Sequence, residues 1–198
     1  MRFTSRPVRT LQACAKVRAF QSFAFGLCLL STAFSLSVLA QTGDTFPSLL
    51  TETLSGSEIE IPQSLQGRYA LLGFAQTKAA EGDLRSWQLP LHRKFVQKAG
   101  FMDQSFDLQL YFIPVFTGLQ KASKTKIVKE LKKNNEKEVE EHLLIYSGAR
   151  GDLELLKMSD KKKPYFYLLD AQGLIVWSGV GAFRQKHLDE IEALLLED

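Results

Sequence analysis

Two short apolar runs limit the folds open to this chain: YALLGF at Tyr69–Phe74 and YFYLL at Tyr165–Leu169. Neither alternates with polar residues. Each must therefore be covered on both faces, as the inner strands of a helix-wrapped sheet are. LQLYFIPVF at Leu108–Phe116 reads the same way, with Pro114 calling for a bulge or an exposed end. HLLIY at His142–Tyr146 gives a further strand, and Ile59-Glu60-Ile61 alternates like a short one after a Ser55-Gly56 turn.

The intervening segments carry the helical period. From Ala79 to Ala99, Leu84, Trp87, Leu91 and Phe95 share one face. Glu81 and Asp83 suit the first turn of that helix, and Pro90 inside it predicts a kink. Lys124–Lys133 reads as a short basic helix with Ile127, Val128 and Leu131 inward. Asp152–Met158 reads as another, with Asp152 as its N-cap. Asp170-Ala171-Gln172-Gly173 turns Tyr165–Leu169 into a strand at Leu174–Ser178. Arg184–Leu196 closes the chain as a helix with Leu188, Ile191 and Leu195 inward. This alternation predicts one α/β domain from Thr45 to Asp198, built on a mainly parallel sheet with an antiparallel edge. A chain of 198 residues has room for one such core and not two.

Residues 1–40 differ from the rest. They hold five of the 25 basic residues and no acidic one, which leaves 20 basic against 22 acidic and a net charge of −2 beyond them. The basic balance thus belongs to the leader and gives no support to nucleic-acid binding. No charge falls between Gln21 and Gly43, and Val38 and Ala40 stand at the −3 and −1 positions of a small-residue cleavage site. This is the pattern of a signal peptide, with export and cleavage near Ala40. An uncleaved inner-membrane anchor and a mitochondrial presequence are the competing readings of the same segment. The only cysteines, Cys14 and Cys28, lie in this leader. A processed chain would have no thiol for a disulfide, a nucleophile or a metal.

Three places resemble a known superfamily. FPSLLTETLSGSEIEIPQSLQGRYALLGFAQT resembles the start of exported thioredoxin-like proteins, and KKPYFYLLDAQGLIVWSGVG resembles their closing hairpin. Pro164, Asp170 and Gly173 match the proline, aspartate and glycine of that hairpin, and the helix after YALLGF matches the one bearing the active site. The resemblance implies a thioredoxin-like fold: a central mixed sheet flanked by helices, a closing β-hairpin and a C-terminal helix. It also implies a cis peptide bond at Lys163–Pro164. Ala79 and Gly82 stand where the family's Cys-x-x-Cys cysteines belong, so no thiol–disulfide or peroxidase activity is expected.

A narrower resemblance covers Leu65–Leu194. LQGRYALLGFAQTKAAEGDLRSWQLPLHRKF, a lysine-rich helix, HLLIYSG and PYFYLLDAQGLIVWSGVG are together similar to the assembly factor of mitochondrial ATP synthase and its bacterial relatives. That resemblance implies a non-enzymatic chaperone. Its partner would be a protein client, a membrane subunit of the proton channel, with association to the membrane surface. The client would lie against Lys161, Lys162, Lys163, Pro164 and Tyr165. The lysines from Lys121 to Lys133 are a solvated helix face or a dock for anionic lipid head groups or an acidic partner.

Other chemistry lacks support. His92, His142 and His187 show no ligand spacing, no Gly-x-Ser-x-Gly occurs, and Gly179-Val180-Gly181 lacks the third glycine of a dinucleotide loop. No cofactor or metal is expected. Two other functional classes stay open: a periplasmic binding module of the same fold with an unknown ligand, and a thioredoxin-like enzyme of unknown chemistry.

Overall fold

A computed structural model describes residues 42–196 apart from residues 66, 99, 101–105 and 135–136. The leader reading lies outside the described residues. The order is β1 (Leu49–Thr53), β2 (Glu58–Ile61), β3 (Tyr69–Ala75), α1 (Lys78–Leu91), β4 (Leu108–Pro114), α2 (Lys124–Asn134), α3 (Lys137–Glu140), β5 (Leu144–Tyr146), α4 (Arg150–Leu155), β6 (Tyr165–Leu169), β7 (Ile175–Val180) and α5 (Gln185–Leu196).

Four strands form the main sheet in the order β4-β3-β6-β7. Only β3 and β4 pair in parallel; β6 runs antiparallel to β3, and β7 to β6. A second sheet, β2-β1-β5, is antiparallel throughout. Parallel bridges Phe112–Leu143 and Val115–Tyr146 join the two sheets. The sheet is therefore mixed, as the thioredoxin resemblance implied. The expectation of a mainly parallel sheet is corrected, because β5 takes β1 as its ladder partner and meets β4 only at the two bridges.

The apolar runs lie where double coverage requires them. Residues 70–75 of β3 are all buried. Ala70, Leu72 and Phe74 face a layer with Phe46, Leu49, Ile61, Leu153 and Leu156. Leu71 and Ala75 face the opposite layer, with Leu84, Trp87, Leu91 and Ile191 of α1 and α5. Gly73 faces α1 as well. A Cβ there would come within 2.6 Å of the Phe166 ring, so glycine lets helix and sheet approach.

Three local expectations are corrected. The helical segment expected from Ala79 to Ala99 is α-helical only to Leu91, with Pro90 inside it, and continues as a π turn at His92–Val96, where the Gln97 N–H donates to the His92 carbonyl 2.8 Å away. The N-cap of α4 is Ala149, with no side-chain bond. The helix starts at Arg150, so Asp152 lies three residues past the cap, where its carboxylate accepts the Tyr146 hydroxyl at 2.5 Å. Finally, the Lys163–Pro164 bond is trans; among the described residues the cis bond is Ile61–Pro62. A turn closed by Asp160, whose carboxylate and carbonyl accept the Lys162 and Lys163 N–H groups, delivers Pro164 directly into β6.

Candidate functional site

The two segments singled out by sequence meet at one end of the sheet. β3 ends at Ala75, and Gln76 and Thr77 carry the chain into α1. Thr77 has extended backbone and caps the helix, its hydroxyl accepting the Ala80 N–H at 3.3 Å. The same hydroxyl donates to the Lys161 carbonyl at 2.8 Å, across 84 residues of sequence. The buried Gln76 side chain donates to the Met158 carbonyl at 3.2 Å, and its backbone carbonyl accepts from the Gln120 amide at 3.3 Å. Together these bonds fasten the start of α1 to the loop before β6 and to Gln120.

The expected client residues fall into two sets. Lys161, Lys162 and Lys163 are exposed, while Pro164 and Tyr165 are buried beneath them. The Tyr165 hydroxyl accepts the Asp160 N–H at 2.8 Å, and the Pro164 carbonyl accepts the Gly181 N–H at 2.9 Å. Lys163 approaches the Asp160 carboxylate at 3.6 Å, a loose exposed pair. The outcome is a cationic tip on a rigid base.

Ala79 and Gly82 are exposed in the first turns of α1. Peptide N–H groups without intrahelical partners point out of such a terminus and favour negative charge. A thiol there would be acidified, but a methyl group and a hydrogen have nothing to ionise. Glu81 is the acidic residue of the first turn.

Behind this end lies an aromatic cluster that helical spacing marks only as core. Trp87 is fully buried and stacks on Phe166 at 4.0 Å and on His187 at 5.2 Å. Its indole N–H donates to the Gly181 carbonyl at 2.9 Å, which ties the glycine loop after β7 to α1. Trp177 donates to Glu190 at 2.9 Å. Burial holds His187 below the usual imidazole range, and its buried Nδ1 has no partner. All three histidines are half-buried, and the described residues contain no cluster of metal-ligating side chains. No described helix is long and apolar enough to cross a membrane.

This architecture defines the class as thioredoxin-like. The fold is shared with the thioredoxin domain of a thiol-disulfide oxidoreductase from Bacteroides vulgatus, with a TM-score of 0.50, 19% identity, and 81% of this chain and 99% of that one covered. The exposed lipoprotein thioredoxin Etrx1 of Streptococcus pneumoniae gives 0.51 and 17%, covering 77% and 100%. BsSco, a member of the Sco family of cytochrome c oxidase assembly proteins, gives 0.52 and 15%, covering 79% and 95%. A comparison with curated proteins finds no match. Within this class the sequence matches the ATP10 protein family over residues 39–195, and the chain belongs to that family.

Proposed function

We propose that this protein is a redox-inactive assembly factor that holds a protein client, a membrane subunit of ATP synthase, during assembly. The observation that carries the reading is the ATP10 family match over residues 39–195. Ala79 and Gly82 at the thiol positions support a non-enzymatic role, because the site offers no nucleophile. Lys161–Lys163 supply the client contact, with buried Pro164 and Tyr165 fixing their position. Each lysine near an anionic head group contributes about 1 kcal/mol to association with a membrane surface. The leader directs export with cleavage near Ala40; retention as an anchor, or use as a mitochondrial presequence, would put the same domain at an inner membrane.

The test is genetic. Cells lacking the protein should accumulate incomplete ATP synthase on native gels, and the wild-type gene should restore the complex. Triple charge reversal at Lys161–Lys163 should fail to restore it while the variant accumulates normally. Full assembly in the deletion strain would overturn the reading and favour the binding-module alternative.

A further inference from the structure

The solvent face of α1 and of the π turn that follows it is patterned in a way that neither their core role nor the family assignment uses. Lys78, Gly82, Arg85, Leu89 and Arg93 are spaced four, three, four and four residues apart, so they form one stripe. All five are exposed. Glu81, three residues after Lys78 and four before Arg85, borders the stripe at its start, and no acidic residue stands between Arg85 and Arg93. Among the described residues, Lys78, Arg85 and Arg93 take part in no ion pair. Leu89, at 58% exposure, stands between the two arginines.

Beside the stripe runs a shallow groove between α1 and the start of α5, lined by Leu89, Pro90 and Arg93 on one side and Phe183 and Leu188 on the other. Its walls are held in place. The Phe183 N–H donates to the Ser86 hydroxyl at 2.9 Å, and the Phe183 ring meets Trp87 edge-on at 5.4 Å. A preformed groove loses little freedom when it is filled.

We infer that this face docks an acidic amphipathic helix of a partner protein. Arg85 and Arg93 are eight residues apart, about 12 Å along a helix axis. Two carboxylates about two turns apart on a partner helix match that separation. One apolar side chain between them would enter the groove beside Leu89, the helix-in-groove mode of recognition. The other occupants fit less well. A second copy packed on a twofold axis would set arginine against arginine. A lipid surface would want several protruding apolar residues, and this face offers Leu89 alone, while the neighbouring Lys94 is already paired with Glu192 at 2.9 Å. This docking face does not depend on the assembly reading; it stands on the groove and the charges.

The test uses the full-length chain and two synthetic helical peptides. One carries Glu at two positions seven apart with Leu four residues after the first; its control carries Lys in place of both Glu. Fluorescence anisotropy should show the acidic peptide binding at least about tenfold more tightly than the control. NMR shifts should centre on Arg85–Arg93 and Phe183–Leu188. The Arg85→Glu/Arg93→Glu variant should lose about tenfold or more in affinity with its melting temperature unchanged, and Leu89→Ala should weaken binding without touching charge. Charge reversal at Lys161–Lys163 should leave this affinity alone, which separates failure here from failure of the assembly reading. Equal affinity for both peptides would overturn the inference. So would binding to phosphatidylglycerol-containing vesicles, through the same arginines, with no binding to the acidic peptide.

Discussion

His187 lies flat against Trp87, with rings 4° apart, and edge-on to Trp177 at 5.8 Å. Burial lowers its pKa from 6.5; Glu190, one turn on, pulls the other way, while Arg184 and Lys186 add to the lowering. The folded state therefore binds this proton less readily than the unfolded chain does. Below about pH 6.5 the unfolded state takes up more protons, so stability falls as pH falls and levels off above that point. Thermal unfolding followed from about pH 5 to about pH 8 should show the slope. His187→Phe keeps a ring against Trp87, leaves no unpartnered nitrogen and cannot titrate, so the slope should shrink. An identical slope in both proteins would assign the titration to another group. Nothing in the sequence around His187 announced this environment, because the two tryptophans lie 100 and 10 residues away.

At the scale of elements, the β6–β7 hairpin shows what local chemistry can specify. The Asp170 carboxylate accepts the Gln172 and Leu174 N–H groups at 2.9 and 2.8 Å, and Gly173 adopts φ of 79°. A Cβ on Gly173 would also meet the Pro62 ring at 2.8 Å. Gly173→Ala should cost about 1 kcal/mol or more, read as a lower urea midpoint with unchanged slope. An unchanged midpoint would mean that the turn relaxes freely. This hairpin was legible because all its determinants are neighbours in sequence. The same holds for β3 and α5, whose ends were read to within a residue. Pairing was not legible: HLLIY states that it is a strand, but not that Leu144–Tyr146 will pair with Thr51–Thr53 of β1. Nor was β1 itself read, since in LLTET the apolar residues neither alternate with the polar ones nor form a run long enough to mark a buried strand. For the site, the exposure of Lys161–Lys163 followed from charge. The bond between Thr77 and Lys161 did not, because it depends on how α1 and the β6 loop pack.

At the scale of the whole molecule, the question is whether the thioredoxin scaffold still favours thiol chemistry once thiols are supplied. α1 begins at Lys78, behind a capped turn, and Ala79 and Gly82 are both exposed three residues apart. Cα atoms three residues apart on a helix are about 5 Å from each other, within the Cα range a disulfide spans. The helix terminus favours a thiolate, and the lysines of the facing loop add positive charge. Ala79→Cys should therefore give a thiol that titrates below about 8.5, the ordinary value. Alkylation rate against pH, on the chain without the leader that carries Cys14 and Cys28, measures it directly. Ala79→Cys/Gly82→Cys should close an internal disulfide and reduce insulin faster than the parent, whose rate should equal buffer alone. If the thiol introduced by Ala79→Cys titrates at or above about 8.5, the helix terminus and its lysines do not create the electrostatic setting of a redox site. The missing cysteines would then not be this chain's only departure from a redox site. If the thiol is acidic but insulin turnover stays at the buffer level, access is the obstacle, and the Thr77–Lys161 hydrogen bond that closes the loop against α1 is the contact to remove next.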